Sequence, residues 1–466
     1  MTPQNYRSLF SGLDVPVPLL NGKQQVYINL DNAASTPPLK AVEDAIDRFL
    51  PYYSSVHRGT GFKSQLSTHA YESARRKVLE FLGAREDEHT CIFGKNTTEM
   101  INRLAKRFPF TPERDMVIVS LMEHHSNDLP WRGVAKVLRV GLLSDGRLNE
   151  DHFDSLLEQY GSRVALVAIS GASNVTGYLN PIHRLAEKAH RVGAQIMVDA
   201  AQLAPHRAIA MGVLDDPAHL DYVVLSAHKM YAPFGTGALV GRKDTFSRGE
   251  PDHRGGGQVE FVTEDEVEWT GAPERDEAGS PNTIGAVALA AAMSQLERVG
   301  MDEVARHEAE LTAYALEKLN AIPWVRLFGD RDPARASERL GVLPMQIEGV
   351  PHFLVAAVLG YEFGIGVRSG CFCAHPYLLH LLEVSPADAE RVRKRILKGD
   401  RREMPGMIRA SFGLYNTPEE IDAFVEALAA IRRGDYEGVY YQDVATGEYR
   451  PENYSIRFED YFTFES

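Results

Sequence analysis

A chain of 466 residues is too long for one compact core and suits two or three domains. Its net charge of −14 repels phosphate backbones, and no apolar run is long enough to span a bilayer, so neither nucleic-acid nor membrane binding is expected. The opening MTPQNYRSLFSG lacks a basic start followed by an apolar stretch, and three cysteines make no disulfide framework, so a reducing cytoplasm is the expected compartment.

From about residue 26 to residue 241, short β-rich runs alternate with helix-period segments. The runs are VYINL (26–30), DMVIVS (115–120), RVALVAIS (163–170), QIMVDA (195–200) and DYVVLSA (221–227). THAYESARRKVLEFLG (68–83) and PIHRLAEKAHRVG (181–193) read as helices between them. Nearly continuous apolar runs are the mark of strands covered on both faces, as in a parallel sheet. The fold class is therefore α/β, with chemistry expected at strand ends. A Gly- and charge-rich stretch (247–282) interrupts the pattern, and a helix pair (284–298 and 302–320) follows. Beyond it the mixture of WVRLF, VLPMQI, HFLVAAVLGYEF, GVRSG and MIRASF predicts a smaller α+β domain, closed by a helix over 417–432. The predicted division is an N-terminal arm (1–25), a large domain (26–300), a small C-terminal domain (301–433) and an acidic aromatic tail (434–466) that packs on the body. Residues 391–402, RVRKRILKGDRR, carry seven basic side chains, which read as a solvated helix end or as a dock for an acidic partner.

The strongest chemical signal is LSAHKMYAPFGTGALVG (225–241), where a buried strand ends in Ser226, His228 and Lys229. By itself Lys229 also fits a surface turn. At a strand end facing a cleft, a lysine loses its proton more easily and becomes able to form a Schiff base. IMVDAAQ ends another strand in Asp199, with Gln202 close behind. Pyridoxal phosphate needs a carboxylate against its ring nitrogen and a donor near its phenolic oxygen. Its phosphate needs a helix start and hydroxyls, which GKNTTEMINRLAKR (94–107) offers with Thr97 and Thr98 as the expected caps of the helix and Ser226 and His228 opposite.

In order, VYINLDNAAST, VHRG, NTTEMIN, MEHHSNDLPW, SNVTG, VDAAQ, SAHKMYAPFGTGAL, GSPNT and IRASFGLYNT resemble the class V aminotransferase family over residues 26–432. Within it they are most similar to the cysteine desulfurase and selenocysteine lyase branch. The resemblance implies the pyridoxal-phosphate-dependent transferase fold type I: a large, mainly parallel-sheet domain, a smaller C-terminal α+β domain, and a homodimer with shared active sites. It implies that Lys229 is the Schiff-base lysine and proton shuttle, that Asp199 pairs with the ring nitrogen, and that Gln202 bonds the phenolate. His124 in MEHHSN matches the imidazole that stacks on the ring; alone, it fits a satisfied core histidine equally. Thr98, Ser226 and His228 match the phosphate cup, with Ser280 lent by the other subunit. Asn174 and Arg409 match the residues that hold the substrate carboxylate, and His57 and Arg58 a motif at the dimer edge of the site. No metal is implied.

RSGCFCAHPYLL (368–379) holds two of the three cysteines. The resemblance places Cys373 on the desulfurase nucleophile, which takes sulfur as a persulfide and leaves alanine; a packed thiol is the plainer alternative. Cys371 departs from the better-known desulfurases. In an extended segment both thiols would point the same way, and one would be able to relay sulfur from the other. The insertion 391–406 is a second departure, and it keeps the substrate and the sulfur-acceptor protein open. The expected reaction is removal of sulfur or selenium from L-cysteine or L-selenocysteine. The alternatives are another class V reaction on an amino acid (transamination, epimerisation or C–S cleavage) and a non-catalytic scaffold.

Overall fold

The computed structural model describes residues 6–464; the outermost parts of the predicted arm and tail, 1–5 and 465–466, lie outside them. The large sheet has seven strands: β1 His89–Gly94, β2 Met116–Ser120, β3 Lys136–Val140, β4 Val164–Ser170, β5 Gln195–Asp199, β6 Tyr222–Ser226 and β7 Gly237–Arg242. Their order is β1-β7-β6-β5-β4-β2-β3. The pairs from β6 through β3 are parallel, whereas β7 runs antiparallel to both β1 and β6.

The unbroken apolar runs follow from burial on both faces. Val167 and Ile169 of β4 join one core cluster while Leu166 and Ala168 join the other. Val198 and Met197 of β5 divide in the same way, as do Val223 and Val224 of β6. Neither face of these strands meets water, so no polar alternation is required. The parallel strands end together, with Ser170 in register with Asp199. The crevice beyond those carboxyl ends is where an open α/β sheet binds its ligands.

A second, antiparallel sheet contains β8 Val325–Leu327, β9 Val342–Ile347, β10 Arg368–Gly370 and β11 Met407–Ser411, in the order β8-β9-β11-β10. Helices Met301–Asn320, His352–Phe363 and Pro418–Arg433 cover it and share its core cluster. The VYINL run does not join the large sheet. Ile28–Asn29 pairs in parallel with Ile365–Gly366, and Leu30 lies in the second sheet's core. Its apolar pattern does form a strand, but the pairing partner is a tertiary choice that a five-residue run leaves open. The stretch 247–282 contains an exposed hairpin, Val259–Val262 with Val267–Trp269.

The basic run lies on helix Pro386–Leu397 and the turn after it. Its charges are matched locally: Arg391 pairs with Asp388, Arg393 and Lys394 with Glu390, and Arg395 and Arg402 with Asp400. Such exposed pairs contribute little stability, and they leave no concentrated positive field. The tail forms a hairpin, Tyr440–Gln442 with Tyr449–Pro451. It meets the insertion through the backbone, where Arg401 N–H donates to the Val444 carbonyl at 2.9 Å.

Glu308, on helix Met301–Asn320, ties the two sheets' surroundings together. Its carboxylate meets His206 at 3.1 Å and Arg207 at 2.5 Å, and accepts from the Gly341 N–H at 2.9 Å. Burial opposes its charge, but His206, Arg207 and the Gly341 N–H outweigh that and hold its pKa at about 2. A depressed acid stabilises the fold above its unfolded pKa, and that contribution fades as pH falls through the folded value. E308A is expected to cost about 3 kcal/mol near neutral pH, because it leaves Arg207, only 14% exposed, without its counter-charge. The mutant's deficit should shrink as pH drops from the ordinary carboxylate range, about 4.3, towards 2. Urea unfolding at two pH values checks both statements.

Candidate active site

A cavity of about 340 Å³ opens beyond the ends of β4, β5 and β6, lined among others by Ser170, Asp199, Ser226 and Lys229. Lys229 follows β6 in a 3₁₀ turn, Ala227–Lys229, whose Ala227 N–H donates to the Thr236 carbonyl at 2.8 Å. Burial pulls the Lys229 pKa down to about 8; Asp199 opposes this and Arg409 assists it. Roughly a tenth of the amine is then uncharged near neutral pH, far more than for an exposed lysine. Asp199 is buried at the end of β5. Burial pushes its pKa up, while the Ala201 N–H and the Lys229 charge pull it back. The Gln202 side-chain amide donates to the Ala33 carbonyl at 2.6 Å, which fixes its head in the cavity wall.

One rim of the cavity is the start of helix Thr97–Arg107. Apolar residues at 100, 101, 104 and 105 bury one helix face. Asn96, rather than the expected Thr97 or Thr98, caps it by accepting from the Glu99 N–H at 3.0 Å, because the threonines already lie inside the first turn. β7 passes close by: a Cβ on Gly237 would lie 2.5 Å from the Asn96 carbonyl carbon. Two hydroxyls here, Thr97 Oγ1 and Ser226 Oγ, are buried without a hydrogen-bond partner. Buried polar atoms are rarely left so. A helix N-terminus with orphaned hydroxyls is a suitable receptor for an anionic group. The donor set therefore fits a phosphate, with a carboxylate and a lysine at the far end for a pyridine ring. G237A is expected to displace the helix start and cost about 1–3 kcal/mol, measurable by thermal unfolding.

His124 accepts from the Ser126 N–H at 3.1 Å. Its pKa is pushed down to about 3 by burial and by Lys229, so the ring is neutral. His228 is likewise held at about 4, chiefly by burial. Thr98 is exposed and its hydroxyl meets Ser126 Oγ at 2.7 Å. Beneath this wall the buried Glu123 accepts from Ser120, Ser170 and Asn127, and burial raises its pKa to about 7.

Arg409, in β11, reaches the cavity from the second sheet. Its guanidinium donates to the Asn174 carbonyl at 2.8 Å and to Asp31 at 3.1 Å, and lies 4.9 Å from the Phe372 ring centroid. Burial lowers its pKa and Asp31 resists. Arg368 stands directly opposite Arg409 in the β10–β11 pair, and Asp31 bridges the two, meeting Arg368 at 2.8 Å. Without Asp31, two cations would face each other across the strands.

Most predicted residues thus line one cavity: Thr97, Thr98, His124, Asn174, Asp199, Gln202, Ser226, His228, Lys229, Cys373 and Arg409. His57, Arg58 and Ser280 do not. They line a separate cavity of about 510 Å³, where His57 meets Glu72 at 2.9 Å. Sequence reasoning passed over Asp31, Ser126, Glu123 and Arg368. Each stood within a motif already in view (LDNAAST, MEHHSN, RSGCFCA), but only contact distances assign a partner.

The cysteine loop is not extended, so the two thiols do not share a face. Phe372 and Cys373 both have φ near +53°, a region that L-residues seldom adopt. Three carbonyls hold the loop: Cys371 O accepts from Ala374 N–H at 3.0 Å, Phe372 O from the Asn174 amide at 2.8 Å, and Cys373 O from His125 N–H at 2.8 Å. Cys373 consequently lines the cavity, whereas Cys371 lies outside that wall, half-buried against His375. Cys91 sits in β1, fully buried, where burial pushes its thiol up and leaves it inert.

An α/β sheet with a lysine and an aspartate at neighbouring strand ends, closed by an arginine from a second sheet, defines a pyridoxal-phosphate fold type I architecture. The aminotransferase class-V family model matches residues 28–424, and the chain belongs to that family, whose members depend on pyridoxal phosphate. A probable cysteine desulfurase of Halalkalibacterium halodurans is 36% identical over 436 residues, 92% of this chain and 97% of that protein. A cysteine desulfurase of Haloferax volcanii is 33% identical over 413 residues, 87% of this chain and 89% of that protein. Among solved structures, the cysteine desulfurase of Thermococcus onnurineus NA1 superposes with a TM-score of 0.75 at 32% identity, over 88% of this chain and 95% of that one. That of Escherichia coli gives 0.75 at 29%, over 94% and 100%.

Proposed function

We propose that the chain is a pyridoxal-phosphate-dependent cysteine desulfurase, taking sulfur from L-cysteine or selenium from L-selenocysteine, with L-alanine and a Cys373 persulfide as products. The observation that carries this reading is Cys373 in the wall of the same cavity as Lys229, Asp199 and Arg409. The named relatives support it. Thr97, Thr98, Ser226 and His228 would hold the phosphate, Asp199 the ring nitrogen, Gln202 the phenolic oxygen and His124 the ring face. Bound there, the cofactor supplies an electron sink for bonds broken at the substrate's α-carbon.

The chain's own residues do the rest. Arg409 and Asn174 hold the substrate carboxylate, the planar fork of arginine giving two parallel charge-assisted bonds. Lys229, half-buried and with its pKa pulled down, moves the α-proton. Cys373 thiolate attacks the substrate Sγ: a sulfur–sulfur bond forms, the Cβ–Sγ bond breaks, and its electron pair stays with the carbon skeleton, which gains protons to become alanine. A sulfur-acceptor protein or another thiol then takes the sulfur.

We infer further a homodimer, in which Ser280, His57 and Arg58 from the second cavity complete the partner's site, and a cytoplasmic location that suits three free thiols. The division near residue 300 is supported by the two separate sheets and cores. Among the described residues no helix is long and apolar enough to cross a membrane.

Incubation with L-cysteine and a reductant should release alanine and sulfide in equal amounts. Cofactor absorbance without alanine would instead point to another class V reaction. R409K is expected to raise KM for L-cysteine about 10- to 100-fold, the equivalent of about 1.5–3 kcal/mol, because an ammonium cannot reproduce the fork. Steady-state kinetics reads this directly, and an unchanged KM would remove Arg409 from carboxylate binding.

A further inference from the structure

Cys371 stands in a cluster that the reaction proposed above does not use. Its Sγ lies 3.6 Å from His375 Nδ1, and that nitrogen lies 3.1 Å from His125 Nε2. The two imidazoles are nearly parallel, 4° apart with centroids at 5.0 Å. The His375 backbone N–H also points to His125 Nε2, at 3.4 Å. Burial lowers the pKa of both histidines, so near neutral pH both are bases. A thiol facing a neutral imidazole, itself backed by a second, is the arrangement that activates a sulfur nucleophile.

The loop also brings Cys371 close to its neighbour. Burial raises the pKa of the Cys371 thiol, and the Cys373 backbone N–H opposes this, so the thiol needs a base to become a nucleophile. The left-handed turn at Phe372 and Cys373 aims Cys373 into the cavity and leaves Cys371 outside it. Sulfur held on Cys373 stands where the next substrate must enter. Sulfur moved to Cys371 would clear that position while staying on the same loop.

We propose that Cys371 is a second sulfur carrier, receiving the outer sulfur of the Cys373 persulfide with His375 as its base and His125 as the residue that positions His375. This rests on the desulfurase reading. The step balances without an oxidant or reductant. Cys371 Sγ gives its proton to His375 Nδ1, where His125 Nε2 accepts a hydrogen bond from it. The thiolate attacks the outer sulfur of the persulfide, forming a new sulfur–sulfur bond. The bond from Cys373 Sγ to that sulfur breaks, and its electron pair returns Cys373 to a thiolate.

The test uses the holoenzyme pulsed with L-cysteine in the absence of reductant, alkylated at intervals and digested with trypsin. Both thiols fall on the peptide 369–391, and fragmentation between them assigns the added sulfur. The expected result is sulfur on Cys373 first and on Cys371 later, with C371S holding it on Cys373 alone and C373S on neither. H375A should lower the ratio of Cys371-borne to Cys373-borne sulfur by about 100-fold, the usual scale of a lost general base. The sulfur still found on Cys373 reports that the variant is folded. H125A should lower the same ratio by a smaller factor, and H125N, which keeps an acceptor, should recover part of it. Sulfur confined to Cys373 at all times in the unaltered enzyme would overturn the relay and leave the desulfurase reading standing. So would a Cys371–Cys373 disulfide formed with release of sulfide. Sulfur on neither thiol would overturn the desulfurase reading and the relay with it.

Discussion

K229A should lose turnover of L-cysteine by about 10⁴-fold or more, the upper scale for a removed proton-transfer group. Lys229 leaves the end of β6 in a tight turn, inside a cavity whose opposite wall is Asp199. Burial holds its pKa at about 8, so roughly one amine in ten is free at pH 7, against far fewer for an exposed lysine. Among the described residues no other lysine lines the cavity. The same substitution should release the cofactor on gel filtration, where the unaltered protein keeps its visible absorbance. K229R retains the charge and nearly the length but is never neutral, so it should fail equally. Turnover within tenfold of the unaltered enzyme in either variant would sink the assignment.

C373A is expected to abolish sulfide release and persulfide formation down to background while leaving cofactor absorbance and its response to L-cysteine in place. The thiol lies in the cavity wall, yet no cofactor-holding residue hydrogen-bonds it among the described residues. Its loss should therefore separate chemistry from binding. The loop survives the change because its three carbonyl bonds are made by the backbone. The left-handed φ of Cys373 tolerates alanine no worse than cysteine, since both carry a Cβ. If alanine production persisted in C373A, the sulfur would not pass through Cys373, and an elimination or transamination reaction would replace the reading.

Much of this site was legible before any coordinate. SAHKMYAPFGTG and VDAAQ announced a lysine and an aspartate at strand ends, and the unbroken apolar runs announced a sheet covered on both sides. Those signals are local: residue type, spacing and period are preserved along the chain. The errors were of another kind. VYINL forms a strand, but it pairs with Ile365–Gly366, beside the second sheet's core. The basic run 391–402 read as a solvated helix end or as a dock for an acidic partner, and its local pairs with carboxylates a few residues away favour the first. Arg409 was foreseen, while Asp31, which balances it against Arg368, was not.

The sequence by itself determined the class of chemistry, because pyridoxal chemistry needs particular functional groups and those groups are named by residue type. Only the tertiary structure decided how they meet. Contacts between residues hundreds of positions apart, such as His125 with His375, depend on where the two sheets come to rest. The fate of the two thiols depended on backbone torsion. An alternating extended loop would have set Cys371 beside Cys373 on one face. The left-handed turn at Phe372 instead divides them between the cavity and a histidine pair, because carbonyl bonds to Asn174 and His125 hold that strained turn in place.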